Sequence, residues 1–332
     1  MSREAYIYPS AKVRVLERHL LSDADMTRVI DAKNPDIAFK AFNSLDYAGE
    51  LLDLEAKDYR VAMSRKMSRL KKVFEKIIPD ETLLRLLFLE RDYYNIKILL
   101  KEKLSGSDFD THLETTPGLI PVEKLRRYII DELDTDIDPK IKNDINELRK
   151  TIGDDADPER IENLVDARLN RRNRRLAEKT RNKFIIDLYK MFADKNNLSI
   201  FLRARRLQKG KTWAAERLND FGRIPASRFM ENYEVADDTE FVTRLKDYFS
   251  NAINEGIEEY LKDKQIWHLE QGINNAIVEH LKSAKLIGYG PEVVVAYYFG
   301  KKFAIKNLST IMALKFGEIE PTTIRKHLVN SY

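Results

Sequence analysis

A nine-residue stretch written three times constrains this chain more than any other feature. Asn95-Ile96-Lys97-Ile98-Leu99-Leu100-Lys101-Glu102-Lys103 returns as Asn197-Leu198-Ser199-Ile200-Phe201-Leu202-Arg203-Ala204-Arg205. It returns again as Asn307-Leu308-Ser309-Thr310-Ile311-Met312-Ala313-Leu314-Lys315. Each copy opens on Asn, with Ile or Leu one residue on, bulky apolar residues at the fourth and fifth following positions, and Lys or Arg at the eighth. These offsets share one face of an α-helix, so the stretch is a helix with an Asn at a fixed place on it. The copies stand about a hundred residues apart, and self-similarity at a sustained spacing marks an internal repeat.

Two further landmarks keep step. Downstream lie Gly118-Leu119-Ile120-Pro121, Gly222-Arg223-Ile224-Pro225 and a looser Gly317-Glu318-Ile319-Glu320-Pro321, each a turn Gly followed by a Pro suited to the first turn of a new helix. Upstream lie Leu54-Glu55, Ile161-Glu162 and Leu269-Glu270, and Leu45-Asp46-Tyr47 with Leu245-Lys246-Asp247-Tyr248 makes a partial pair. The spacing predicts three similar helical units over 1–117, 118–221 and 222–332. The first starts part-way round, since Leu21 to Tyr47 aligns with Ile224 to Tyr248, and the tail after Gly317 reads as the opening of a fourth. Units that begin and end out of phase suit an arrangement that nearly closes on itself, with its termini near each other.

Composition supports helices. Gly and Pro are scarce, at 12 and 10 of 332 residues, and 34% of residues are charged, above the usual proportion of about 25%. No segment alternates with period two, so an all-α chain with almost no sheet is expected. The absence of cysteine excludes disulfides, thiolate chemistry and Cys-ligated metals. With 58 bases against 54 acids, whole-chain charge does not argue for nucleic acid. The N-terminus lacks the apolar core of a signal peptide, and the longest apolar runs fall short of the roughly 20 residues that span a bilayer. A soluble protein is expected, one still able to sit on a membrane complex.

Taken in order, residues 10–33 form a basic amphipathic start, and Pro35 opens a short helix with Ile37, Phe39, Phe42 and Leu45. A longer helix runs from about Tyr47 to Ile78, stopped by Pro79. Asp80 is placed to cap the next helix, because its carboxylate can accept from free first-turn amides. That helix is apolar nearly all round and should be buried on several sides. An acidic loop from Asp131 to Asp138 and a break at Gly153-Asp154-Asp155-Ala156-Asp157-Pro158 precede one long basic helix from Glu159 towards Ala193. Another helix spans Trp267 to Leu286, and Gly288-Tyr289-Gly290-Pro291 breaks the chain before the last Asn helix.

No catalytic constellation emerges. Gly210-Lys211-Thr212 ends like a phosphate-binding loop, but Arg205 stands where that loop needs its first Gly. Asp134-Thr135-Asp136-Ile137-Asp138 opens like a calcium loop, but Pro139 replaces the required Gly and Ile145 the bidentate Glu. His19, His112, His268, His280 and His327 show no metal-ligand spacing. No cofactor, metal or small-molecule substrate is therefore expected. The sharpest local feature is the basic run Arg168, Arg171, Arg172, Arg174, Arg175, Lys179, Arg181 and Lys183. It reads first as a solvated face with Glu partners and second as a surface for an acidic protein. Nucleic acid ranks third, since only Phe184 stands beside the run to stack a base. Asn95, Asn197 and Asn307 read as structural, an amide on an apolar helix being suited to closing a bend or capping a neighbour.

Together these features resemble the C subunit of the archaeal and bacterial V-type (A-type) ATPases, whose eukaryotic counterpart is the d subunit. The resemblance rests on the three Asn-Ile/Leu helices and the Gly-x-Ile-Pro turns. It extends to the tail from Lys306-Asn307-Leu308 through Gly317 to Ile324-Arg325-Lys326-His327-Leu328, and to the opening Val13-Arg14-Val15-Leu16-Glu17 with Leu20-Leu21. It covers essentially the whole chain. The chain departs from the pattern at Pro117 and Phe221, where the turn usually has a second glycine, at Ala304, where an acid is common, and at Ser309, where a base is frequent. The resemblance implies an all-helical funnel of three similar units around a pseudo-threefold axis. It implies a non-catalytic socket in a central rotor, peripheral to the membrane at its cytoplasmic face, with one end on the proteolipid ring and the other receiving the central stalk. Such a socket would pass torque for ATP-coupled proton or sodium transport. Charged rims orient and speed docking more than they raise affinity, so Arg203, Arg205 and Arg206, with Lys103 and Lys315 at matching positions, are expected at a stalk-facing or ring-facing rim. The alternative is a soluble helical-repeat adaptor that binds an acidic protein or RNA through the Arg168 to Lys183 face.

Overall fold

The computed structural model describes residues 2–44, 53–107, 109, 118–153 and 157–332. The landmark Leu45-Asp46-Tyr47, His112, Pro117 and residues 154–156 lie outside the described residues. Among those described, sixteen α-helices are joined by 3-10 turns and irregular chain, with no strand. The chain is all-α, as the lack of period-two alternation predicts. It packs as two compact units, one of Met1–Pro79 with Lys190–Tyr332 and one of Asp80–Tyr189. These are units of packing, whereas 1–117, 118–221 and 222–332 are units of sequence period.

The chain begins with α1 (Ile7–Glu17), α2 (Asp23–Ile30), α3 (Pro35–Asn43) and α4 (Tyr59–Ile77). Local chemistry sets their starts. Ser22 and Asp25 form a reciprocal capping box on α2, and the Asn34 side chain accepts from Ile37 N at 2.9 Å with Pro35 in the first turn of α3. The helix expected from about Tyr47 begins, among the described residues, at Tyr59 after a 3-10 turn over Ala56–Asp58.

The unit Asp80–Tyr189 holds α5 (Glu81–Ser105), α6 (Val122–Ile129), α7 (Pro139–Ile152), α8 (Pro158–Thr180) and the start of α9 (Lys183–Arg206). Asp80 caps α5 by accepting from Thr82 N at 2.7 Å. Its core interleaves Leu89, Tyr93, Ile96 and Leu99 of α5 with Leu125 and Ile129 of α6, Ile141, Ile145 and Leu148 of α7, and Val165 of α8. Beside this core Asp144 is buried. It accepts from the Tyr93 hydroxyl, from Arg168 Nη1 at 3.0 Å and from Arg172 Nε at 2.6 Å. A buried carboxylate is tolerable when paired and hydrogen-bonded in this way. Burial and the Asp144 carboxylate push the Tyr93 hydroxyl well above its ordinary range. The single long helix expected from Glu159 towards Ala193 is two helices. The chain turns at Arg181, whose φ is 52°, while Asn182 accepts from Ile185 N at 3.1 Å to start α9. Neither Gly nor Pro marks that corner.

In the other unit follow α10 (Lys211–Ala215), α11 (Ala226–Glu231), α12 (Thr239–Thr243), α13 (Asn254–Asp263), α14 (Ile266–Lys282), α15 (Pro291–Phe316) and α16 (Pro321–Lys326). The core centres on α15, whose residues Val293 to Phe299 are all buried and which packs on α1, α3, α4 and α14. Phe74 of α4 meets the rings of Tyr297 and Tyr298 at 6.2 and 6.1 Å. Helices α13 and α14 approach backbone to backbone at Gly256, where a Cβ would stand 2.5 Å from the His268 carbonyl oxygen. The two ends of the chain also meet here. Tyr332 donates to Glu17 at 3.0 Å, Ser331 to Asp23 at 2.5 Å, and Arg325 to both oxygens of Asp31 at 2.7 and 2.9 Å.

Candidate functional site

The repeated Asn helices are α5, α9 and α15, and each Asn is buried on its helix. Asn197 faces the backbone of Asn219, 22 residues on. Its Oδ1 accepts from Asn219 N at 2.8 Å and its Nδ2 donates to Asn219 O at 2.8 Å. Asn307 does the same to Val329, also 22 residues on, at 3.0 and 2.7 Å. A carboxamide has one donor edge and one acceptor edge, so it satisfies both polar groups of a peptide brought against an apolar helix. The residue at the corresponding distance from Asn95 is Pro117, outside the described residues.

A second clasp accompanies two of the three. Three residues before Asn95 stands Asp92, which accepts from Leu119 N at 3.1 Å and Ile120 N at 3.0 Å. Three before Asn197 stands Asp194, which accepts from Arg223 N and Ile224 N, both at 3.0 Å. The Gly of each Gly-x-Ile-Pro turn permits this approach, because a Cβ on Gly118 would stand 2.0 Å from Asp92 Oδ1 and one on Gly222 2.1 Å from Asp194 Oδ1. Burial outweighs the two amide donors at Asp194 and raises its carboxyl to about 6. Sequence reasoning missed both carboxylates. The signal was an Asp three before the Asn in two copies, hidden because the third copy has Ala304.

The clasps correct the third landmark. Gly222 lies just beyond the Asn197 contact, whereas Gly317 lies well short of the Asn307 contact and ends α15 instead. Its neighbour Glu318 has φ 56° and stands at the same distance beyond Asn307 as Gln208, φ 52°, beyond Asn197 and Gly106, φ 67°, beyond Asn95. The Gly317 turn is thus the helix-ending turn of the repeat, not the Gly-x-Ile-Pro turn. The tail does not open a fourth unit, since its Val329 returns to Asn307.

The five cations expected at a rim differ in setting. Lys103 is exposed, and its amine donates to Ile130 O at 2.8 Å and pairs with Glu132 at 3.1 Å. Arg203 is exposed and pairs with Glu270 at 2.8 Å. Arg205 stacks over the Phe201 ring at 5.4 Å and donates to the carbonyls of Val235 and Ala236. Arg206 is exposed beside Leu207, which is 65% exposed. Lys315 is buried; its amine donates to Ala32 O at 2.5 Å, and burial lowers its affinity for a proton. Lys315 is therefore an internal brace on the end of α2. Arg203, Arg205 and Arg206 share the last turn of α9.

In the basic run, Arg168 and Arg172 point inward to Asp144, Arg174 pairs with Glu178 at 3.0 Å and Lys183 with Asp187 at 2.5 Å, leaving Arg171, Arg175, Lys179 and Arg181 exposed. Among the described residues no group of three His, Cys, Asp or Glu is placed to hold a metal ion, and no helix is long and apolar enough to cross a membrane. A cleft of about 440 Å³ is lined by Arg228, Glu231, Glu240, Phe241 and Arg244, with the arginines paired to Glu231 and Glu240.

Residues 9–327 match the family described as ATP synthase (C/AC39) subunit. The A-type ATP synthase C subunit of Methanocaldococcus jannaschii is 24% identical over 98% of this chain and 86% of its own length. The V-type sodium ATPase C subunit of Enterococcus hirae is 20% identical over 96% of this chain and 97% of its own. A match over nearly the full chain, with the repeat helices inside it, places this protein among subunits of rotary ion-transporting ATPases: the chain belongs to the ATP synthase (C/AC39) subunit family.

Proposed function

We propose that this chain is the non-catalytic socket of a rotary V-type ATPase rotor. It receives the central stalk at one end and rests on the membrane proteolipid ring at the other, at the cytoplasmic face. There it transmits torque for ATP-coupled proton or sodium transport. Three units over 1–117, 118–221 and 222–332 surround a pseudo-threefold axis as a funnel, and Lys103, Arg203, Arg205 and Arg206 contribute to the charged rims. The observation that carries this reading is the clasp repeated in register. The same Asn on the same helix face holds a returning chain 22 residues on at both Asn197 and Asn307, which suits a stiff body of like parts made to bear load. The family match over residues 9–327 supports it. The adaptor alternative is weakened, because Arg168 and Arg172 of its basic face are bonded to buried Asp144.

The test is a mild-detergent pull-down of the tagged chain from its own membranes, read by mass spectrometry. Ring and stalk subunits with one copy of this chain per complex are expected. Recovery alone, or with RNA and soluble proteins only, would overturn the proposal. Charge reversal at Arg203 and Arg206 together is expected to weaken recovery of one neighbour, and unchanged recovery would remove these residues from the rim.

A further inference from the structure

We propose that α1 and the turn over residues 283–290 form a surface that docks directly on an anionic lipid bilayer. On α1 and its flanking cap residues, Tyr6, Pro9 and Val13 are buried, while Ile7, Tyr8, Ala11, Lys12, Val15 and Arg18 face outward. At the helical period these six fall within roughly 140° of arc. A helix that has already buried one apolar side needs no apolar residues on the other, yet Ile7, Tyr8 and Val15 are 52%, 67% and 54% exposed. On the turn whose carbonyls Arg14 of α1 binds, Leu286 is 91% exposed.

The turn and the helix are one surface. Arg14 donates to Ala284 O at 2.9 Å and Ile287 O at 2.8 Å, Gly290 N donates to Ser10 Oγ at 3.0 Å, and Arg3 lies over the Tyr289 ring at 5.9 Å. Leu286 thus sits on a turn pinned at both sides, so its side chain is held out in water. Charge names the occupant. Of the acids in this region Glu17 takes Arg14 and Tyr332 and Glu292 is buried, which leaves Glu4, exposed and accepting from Ser2 Oγ, against the exposed bases. Lys12 and Arg18 face outward with no ion pair among the described residues, and exposed Lys285 has its amine 4.6 Å from the Tyr332 ring centre. Aliphatic points, tyrosines and unneutralised bases on one face match the bilayer boundary. There aliphatic groups enter the acyl layer, tyrosine sits at headgroup depth and bases meet anionic lipids. The apolar residues stand out from a helix and a turn rather than lining a pocket, which suits a fluid partner.

The experiment is flotation of the purified full-length chain with vesicles of phosphatidylcholine alone or with added phosphatidylglycerol. Binding to the anionic vesicles is expected, weakening as salt is raised. The pair Tyr8→Glu with Leu286→Glu should lower partitioning by at least about tenfold. Arg171→Glu with Arg175→Glu, a basic face elsewhere, should leave it unchanged. Matching circular dichroism and melting curves keep the comparison between folded proteins. Equal flotation of wild type and the Tyr8/Leu286 variant would overturn the proposal, as would failure to float with anionic vesicles. So would a wild-type dimer in light scattering that the Tyr8/Leu286 variant abolishes, which would assign the face to a second copy. Only this chain and lipid are present, so the outcome is independent of the rotor-socket reading.

Discussion

The clasps of α9 and α15 do the same task with different equipment. At α9 the returning chain is gripped twice, by Asn197 on the Asn219 peptide and by Asp194 on two amides of the Gly222 turn. At α15 Ala304 occupies the carboxylate position, and Asn307 grips Val329 with no Asp beside it. The α15 clasp is instead backed by contacts on either side of Val329: Asn330 N donates to Asn275 Oδ1 at 2.9 Å and Gln271 Nε2 to Leu328 O at 2.6 Å. The difference teaches that the Asn is the common device and the Asp an addition needed where the chain must turn sharply into a new helix.

The comparison is broken most severely by Asn307→Ala. Both polar groups of the Val329 peptide would be left buried without this partner, and each orphan costs about 1–3 kcal/mol. A loss of about 3–5 kcal/mol in urea unfolding is expected, with faster tryptic cleavage after Lys326 as the tail frees itself. A loss under about 1 kcal/mol would mean the tail contacts hold it unaided. Asn197→Ala should cost less, about 2–3 kcal/mol, because Asp194 still holds the adjoining turn. If Asn197→Ala proved the more damaging, the carboxylate would not be a second grip.

Smaller again is the Gly222→Ala change, which drives a Cβ into the Asp194 carboxylate and should cost about 2 kcal/mol as overpacking. The informative variant is the double, Gly222→Ala with Asp194→Ala. If the clash is the cause, the two changes are strongly non-additive, and additive losses would refute it. Below this lies the contrast between cations of α15 and α9. Lys315→Ala strips a buried donor from Ala32 O and is expected to cost about 1–2 kcal/mol, whereas exposed Arg206→Ala should stay within about 0.5 kcal/mol.

The sequence made the helices legible where local chemistry sets them: the caps at Asp80 and Asn34, the Pro starts of α3 and α15, and the apolar face of each Asn helix. It misled where tertiary contacts decide. Arg181 turns the chain without Gly or Pro, so two helices read as one. Gly and Pro recur at several helix-to-helix corners, so Gly317 was matched to the wrong corner. The partner of Asn307 and the left-handed residue that ends each Asn helix reveal the register. A Lys at the repeated eighth position reads alike whether it lies on the surface against Ile130 O and Glu132, as Lys103 does, or is buried on the end of α2, as Lys315 is. Demanding three copies hid Asp92 and Asp194, which have only two.

A modest pH effect sharpens the comparison at Asp194 itself. Its carboxyl is raised from 3.8 to about 6 because burial disfavours the charge more than two amides favour it. A raised folded-state value means the folded form takes up a proton that the unfolded chain still lacks. The associated stability is fully present below the unfolded value and is lost as pH rises through about 6. Against Asp194→Asn, which shares every other titrating group, the wild type should therefore gain about 1 kcal/mol as pH falls from roughly 7 to 5. Urea unfolding of both proteins at the two pH values measures the change in their gap. A gap that stayed constant between the two pH values would place the folded carboxyl near or below the unfolded 3.8. In that case the two turn amides match or outweigh burial, and the α9 clasp would be at least as strong as an ion as it is as an acid.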